Sequence, residues 1–528
     1  MTLLVSPYPC RRVAALRRWW TVLALVLPLA ALRSAEGPVL TDEGLRRHVA
    51  RFNAMEDEPV MNVVPNAASA DWLAARVPRW ACPDAAVEEI YHFRWWALRK
   101  HLRRSDDGRL VFSEFINRAD PISSALGHHL MEGRWLADSR PHDEYTLWWL
   151  RQPDGCPHAR LHRYSQWLAA AVLERAKATG DFAFAVGLLD DLVADYRTWE
   201  RERRRPDGLF WQYDVRDAME ESISGSRTEP HVRPTINSYM FGNAEAIAAL
   251  ARRAGRTDLA LTFEEEARRL RALVQERLWH GGHGFFEVRT ADGAWSGVRE
   301  AIGFIPWYFG LPEPGRGFEQ AWAQFSDDEG FRAPFGLTTA ERRHPRFRSH
   351  GVGTCEWDGA VWPFATSQTL TALGRALRDA PGLPVTRTDY FEAFLTYVRS
   401  HRMKDRPYLG EYLDERTGAW LKGDHPRSRW YHHSTFADLV VTGIAGLRPR
   451  EDDLLEVDPL LPEGTWPWFA LDGVPYHGRR VAIVWDRDGS RFGQGAGLRV
   501  LVDGREVARA PGLRRLVAPL PPAGDARP

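Results

Sequence analysis

The chain has 528 residues, enough for a large catalytic domain and one smaller module. Hydrophobic residues make up 44% and charged residues 27%, which excludes a disordered chain; a mean hydropathy of −0.40 excludes a polytopic membrane protein. Seventy Lys and Arg balance 70 Asp and Glu. Without a basic excess to neutralise phosphates, nucleic acid is not an expected partner. Tryptophan is abundant, at 23 residues. An indole offers a flat apolar face and one N–H donor, which suits the C–H face of a sugar ring, although many indoles fill cores instead.

The N-terminus carries Arg11, Arg12, Arg17 and Arg18 ahead of an apolar run, Thr21 to Leu32, that is too short to span a bilayer comfortably. Small residues (Ala30, Ala31, Ser34, Ala35) close it, without a clean A-x-A site. Residues 1–35 therefore read as an export signal, cleaved or kept as an anchor. The expected location is periplasmic or secreted, or cytoplasmic if the start is wrongly placed. No other membrane association is expected. Cys82, Cys156 and Cys355 remain after Cys10 in the signal, and an odd trio is no disulfide framework. No C-x-x-C, H-E-x-x-H or EF-hand loop is present, so no metal site and no cofactor is read. Asp486-Arg-Asp488-Gly489 reads as a hairpin turn.

From about 40 to 450 the pattern is helical. Apolar residues at helical spacing predict helices over Asp84–Arg104, Leu161–Lys177, Asp181–Glu202, Thr235–Ala254, Leu259–Leu278, Ala360–Leu377 and Tyr390–His401. Weaker signals cover Pro121–Leu136, Glu144–Leu150, Glu300–Phe309 and Ser434–Ile444. Phe263, Ala267, Leu270 and Val274 form one such stripe. Gly180 and Gly255 read as C-terminal stops, Asp181 and Asp258 as N-caps. Long loops at 203–234 and 326–359 are rich in aromatic and acidic residues, and long loops in compact domains are commonly functional. The absence of strand alternation excludes Rossmann and TIM layouts, and the absence of a fixed period disfavours a solenoid. A mainly α, (α/α)6-type toroid of helical hairpins is expected, with a pocket fed by loops. From 451 to 528, Val481–Trp485 and Leu498–Val502 read as strands of a small β module, and the tail from Pro519 as frayed.

Four loop clusters carry the candidate chemistry. They are Trp211–Ser222, Gly353–Pro363, Gly410–Gly418 and Gly127–Trp135. Each puts carboxylates beside aromatics, and the last three add glycines. Glycoside hydrolysis needs one protonated carboxyl to meet the leaving oxygen and one ionised carboxylate on the other side of the bond. Burial among aromatics and like charges raises a carboxyl's pKa toward that of a useful acid. No G-x-S-x-G elbow is present, adjacent His128-His129 and His432-His433 diverge on a helix, and Cys355 reads as a small buried residue.

Three stretches resemble the six-hairpin glycoside hydrolases, in particular the mannosylglycerate-hydrolase-like domain of glycoside hydrolase family 63. Asp217-Ala-Met-Glu220-Glu221-Ser222 resembles that family's general-acid segment, usually Ser-Gly-Met-Asp-Asn-Ser. Trp357-Asp-Gly-Ala-Val-Trp362-Pro363 resembles its W-x-G-x-V-W-P segment, and Gly410-Glu411-Tyr412 with Thr417-Gly418 its general-base segment. The resemblance implies an inverting, exo-acting hydrolase of α-linked glucosides or mannosides, with Glu220 as general acid and Glu411 as general base. Glu replaces the usual Asp, and Glu221 a neutral Asn, so Asp217 and Glu221 stand as alternative acids. Trp211, Trp357 and Trp362 are expected as stacking walls, and Asp214, Arg216 and Asp358 as hydroxyl ligands. His128, Glu132 and Arg134 are further pocket candidates. The expected partner is a carbohydrate; the sequence is silent on oligomeric state. Two other readings stay open: a polysaccharide lyase acting on a uronate glycan, with Tyr213, Tyr239, His432 and Arg216 recruited, and a non-catalytic carbohydrate-binding protein.

Overall fold

The computed structural model describes residues 37–118 and 120–522, so the signal-like segment at 1–35 lies outside the described residues. The helices are α1 (Glu43–Asn53), α2 (Asn66–Ala74), α3 (Ala85–Lys100), α4 (Leu126–Gly133), α5 (Arg140–Leu150), α6 (Leu168–Thr179), α7 (Phe182–Gly187), α8 (Leu189–Arg203), α9 (Pro234–Arg253), α10 (Thr257–Arg277), α11 (Ile305–Tyr308), α12 (Pro363–Asp379) and α13 (Arg387–Ser400). No helix among the described residues is long and apolar enough to cross a membrane.

Burial sorts these helices into two layers. In α9, 16 of 20 residues are buried; in α10, only five of 21, including the Phe263–Ala267–Leu270–Val274 stripe. A helix apolar all round belongs inside, and one with a single stripe belongs outside. The inner ring runs α4, α6, α9, α11, α12 and a π-helical turn at Leu439–Ile444, each packed on the next. It closes through Glu132 of α4, whose carboxylate accepts the N–H groups of Phe436, Ala437 and Asp438 at 2.9, 2.9 and 3.0 Å. Glycine permits the closest inner contacts. A Cβ on Gly127 would meet the Trp167 ring at 2.1 Å, and one on Gly242 the Phe309 ring at 2.2 Å.

Connections from an inner to an outer helix are short, as at 180–181 and 254–256; those leading back inward are long, as at 204–233 and 401–438. The long segments therefore gather at one end of the ring, above the inner helix N-termini. Proline stands in the first two positions of α9, α11 and α12, where its missing N–H is not needed.

The expected toroid is present, with several local differences; helix α3, for one, stops at Lys100, because Leu102–Arg104 pairs as a strand with Leu110–Phe112. Helix α6 begins at Leu168 rather than Leu161, because the Gln166 side chain caps it by accepting the Leu168 N–H at 2.5 Å. Residues 360–362 are extended rather than helical, because Val361 exchanges backbone hydrogen bonds with Leu413. Asp181 caps α7 through the Phe184 N–H at 3.1 Å with Gly180 left-handed before it, as expected; Asp258, by contrast, lies inside α10. Pro519, the expected start of the frayed tail, is still paired, Leu516–Pro519 with Leu454–Val457, and residues 523–528 of that tail lie outside the described residues.

The β module holds a three-stranded antiparallel sheet that begins at Leu447 and a five-stranded antiparallel sheet. The larger sheet takes its edge strand, Arg79–Ala81, from the helical half of the chain, pairing it with Trp468–Tyr476. The module is thus stitched into the ring rather than strung behind it.

Candidate active site

The loop end is organised by backbone pairing between segments far apart in sequence. Thr338, Val361, Leu413 and Trp420 form consecutive antiparallel bridges. The Trp357 N–H donates to the Glu220 carbonyl at 3.4 Å, and the Cys355 N–H to the Tyr412 hydroxyl at 3.1 Å. Those contacts join the three motif stretches into one floor. Trp362 stacks on Trp357 (centroids 4.6 Å apart, 24°) and on Tyr412 (4.4 Å, 13°). Both tryptophans are buried. This corrects the expected stacking walls: Trp357 and Trp362 face aromatic neighbours, so they brace the floor. Trp211 is engaged elsewhere, with Arg203 over its ring at 4.7 Å and Tyr213 against its edge.

Three carboxyls converge on this floor. Burial, with the neighbouring carboxylates Glu411 and Asp214, pushes Glu220 up to about 7. Among the described residues no Lys, Arg or His lies within ion-pair distance of it. Burial also raises Glu411, but Arg427 and Lys422 draw it back, and the Ser428 hydroxyl donates to it at 3.1 Å. The third is Glu114, pushed up to about 7 by burial. It accepts a hydrogen bond from the Tyr431 hydroxyl and lies 3.5 Å from His433 Nδ1, while its other oxygen is buried without a partner. Each of Glu114 and Glu411 is close enough to raise Glu220.

The alternative acids are otherwise occupied. Asp217 is buried in an ion pair with Arg233 at 2.6 Å and accepts from the Ser165 hydroxyl at 2.6 Å. Glu221 pairs with Arg227 at 2.5 Å and lies 3.4 Å from His350. Asp214 lies by Glu220 and accepts the Val215 N–H at 2.6 Å. Arg216 is half-buried near Tyr164, with no ion pair among the described residues. Asp358 is buried; one of its oxygens accepts the His350 N–H at 2.8 Å and the other has no partner.

The fourth cluster does not assemble here as expected. His128 is buried between Trp167 and Phe364, and burial holds its imidazole well below the usual range. Glu132 is consumed in closing the ring. Arg134 turns to a cavity of about 420 Å³ at the opposite end, where it pairs with Asp438 at 2.9 Å and Glu174 at 3.0 Å. The residues of the lyase reading are dispersed as well: the Tyr239 hydroxyl, inside α9, accepts from Gln368 at 2.9 Å, and His432 is fully buried. Glu114 was not read from the sequence. Its segment, Ser113-Glu114-Phe115, has neither glycine nor tryptophan beside the acid.

The model of the mannosylglycerate hydrolase MGH1-like glycoside hydrolase domain matches residues 119–434. That of the glycosyl hydrolase family 65 C-terminal domain matches 447–509. A solved protein named sialidase is 46% identical over 91% of this chain, with a TM-score of 0.89; the chain spans only 45% of that protein. A GH63 mannosylglycerate hydrolase from Thermus thermophilus, solved with Tris, is 18% identical over 66% of this chain and 98% of its own length, at a TM-score of 0.50. A GH78 rhamnosidase from Bacillus sp. GL1 is 14% identical over 80% of this chain and 41% of its own, at 0.57. The last two share the fold.

Proposed function

The chain belongs to the mannosylglycerate hydrolase MGH1-like glycoside hydrolase domain family, and on that premise we propose that it is an inverting, exo-acting glycosidase of α-linked glucosides or mannosides. Glu220 is the general acid and Glu411 the general base. The observation that carries this reading is the contrast between the two. Glu220 is half-buried, with no Lys, Arg or His at ion-pair distance among the described residues, and is held up to about 7, so it keeps a proton near neutrality. Glu411 sits beside Arg427, Lys422 and the Ser428 hydroxyl, which favour its ionised form. A pair of carboxyls whose surroundings differ in this way divides the two roles.

In the reaction, Glu220 protonates the leaving oxygen as the C1–O bond breaks. Glu411 takes a proton from a water that attacks C1 from the opposite face, and the product sugar has inverted configuration. The buried Phe364 ring packs against Trp357 on one edge and His128 on another and closes the floor from below, which supports exo-action on a chain end. Arg118 and Arg427 lie over the Phe115 ring at 5.4 and 4.7 Å, and neither has an ion-pair partner among the described residues. Both act on Glu114, and an anionic group on the aglycone fits beside them. The segment at 1–35 supports export.

Proton NMR of the first product, from a panel of α- and β-linked glycosides with neutral and acidic aglycones, tests the reading. A free sugar of inverted anomeric configuration supports it. Retained configuration makes Glu411 a nucleophile and overturns it. An unsaturated product absorbing in the ultraviolet would instead identify a lyase.

A further inference from the structure

We propose that His280, His283 and Glu287 form a binding site for one divalent transition-metal ion, with Zn2+ the fitting member of that class. The three lie on one β-hairpin. Trp279-His280 pairs with Phe285-Phe286, and residues 281–284 form the turn, which Gly284 completes at φ +62°. The hairpin folds the two imidazoles and the carboxylate toward a single point. His280 Nδ1 lies 3.2 Å from Glu287 Oε2, and His283 Nδ1 lies 2.5 Å from Oε1. One donor atom from each residue falls within 4.8 Å of the other two. Tetrahedral bonds of about 2.0–2.1 Å place neighbouring donors roughly 3.3 Å apart, so a small spreading of this cluster admits the ion.

The surroundings suit a cation. The Glu287 side chain has 0% exposure, and among the described residues its only ion-pair partners are these two histidines; Arg289 and Arg299 act on it from beyond ion-pair distance. The imidazoles are 23% and 34% exposed, so a water can complete the shell from the solvent side. Two imidazoles and one carboxylate, with one position open, are a donor set that zinc favours and that calcium and magnesium do not. The ligands are also oriented from behind. Arg299 donates to the His283 carbonyl at 3.1 and 2.9 Å and pairs with Glu341 at 2.6 Å, while Trp295 stacks on His280 at 4.5 Å and 15°.

A second histidine–carboxylate trio, His48, Glu88 and His92, differs in geometry. Its donor atoms also fall within 4.8 Å of one another, but its two rings stack face to face (5.1 Å, 26°) and only His48 of the two histidines is hydrogen-bonded to Glu88, whereas both histidines of the hairpin meet Glu287. The site at 280–287 is separate from the glycosidase reading and stands or falls apart from it.

Titration of EDTA-stripped, dialysed full-length protein with ZnCl2, followed by calorimetry and by melting temperature, tests the proposal. One equivalent should bind, with the melting temperature rising as free Zn2+ increases. His280→Ala and His283→Ala, both at half-exposed positions, should fold and lose at least a hundredfold in affinity. Calcium should not compete. Absence of zinc binding by the wild type overturns the proposal. So does retention of the equivalent in both folded variants.

Discussion

The two ends of the helical ring hold their carboxylates differently, and Glu174 at one end shifts opposite to Glu220 at the other. At the loop end, Glu114, Glu220 and Glu411 share one floor without a Lys or Arg ion pair, and all three are raised. At the other end, Glu174 and Asp438 meet Arg134 at 3.0 and 2.9 Å, Lys177 reaches Glu174 at 3.0 Å, and the Trp135 N–H donates to Asp438 at 2.7 Å. Burial would raise Glu174 as it raises Glu220. Lys177 and Arg134 outweigh it and hold Glu174 at about 2. Asp438, fully buried beside the same Arg134, is still raised, so two cations overcome burial at the part-exposed Glu174 and one does not at Asp438. The paired end braces the ring; at the loop end, Glu220 is held where it keeps a proton that chemistry can use.

The largest effect should come from removing either carboxyl of the proposed acid–base pair. Glu220→Gln and Glu411→Gln should each lower kcat by roughly 10²–10⁴-fold, the range of general acid–base catalysis, with the circular dichroism spectrum unchanged. Near-wild-type turnover in both would sink the assignment. At the paired end, Arg134→Met should leave Asp438 buried with the Trp135 N–H but no cation. Stripping one partner from such a pair costs about 3–5 kcal/mol, read as a lower urea midpoint, while the folded fraction keeps its kcat/KM. A fall in kcat/KM with stability intact would return Arg134 to the sugar site.

This contrast was only half legible in the sequence. Helical periodicity exposed the outer helices, because a stripe such as Phe263–Val274 has one face to mark. It blurred the inner ones: α4, with all eight residues buried, offers no alternation. The segments of the proposed acid and base stood out because their loops set carboxylates beside aromatics, with glycines at 410 and 418. Glu114 did not, since its partners Tyr431 and His433 lie more than 300 residues on. Glu132 and Arg134 carried the right residue types for a sugar pocket, but a one-dimensional reading cannot tell which end of an inner helix a side chain reaches. Nor could tryptophan abundance separate sugar platforms from packing. Trp80, Trp95, Trp96, Trp135, Trp149, Trp167, Trp199 and Trp322 are all deep in the core. The His280–Glu287 hairpin escaped the metal motifs sought because its three residues converge through a turn rather than along one helix face.

The subtlest consequence is a pair of stability shifts of opposite sign. A carboxyl whose native pKa lies above its unfolded value binds more protons in the native state. Its presence therefore costs stability as pH rises from the ordinary glutamate range, near 4.3, through about 7. Glu114→Gln removes that cost. The variant should be more stable than wild type at pH 8 by about 1–3 kcal/mol, and no more stable at pH 4. Glu174 runs the other way. Its native value of about 2 lies below the unfolded one, so its contribution is present at neutrality and fades as pH falls toward 2. Glu174→Gln should lose stability at pH 7 and match wild type near pH 2. Because a third of that side chain is exposed, the loss should be only about 1 kcal/mol or less. Urea melts of both variants across pH decide the matter: curves that shift in the same direction would mean that burial, not pairing, governs both ends.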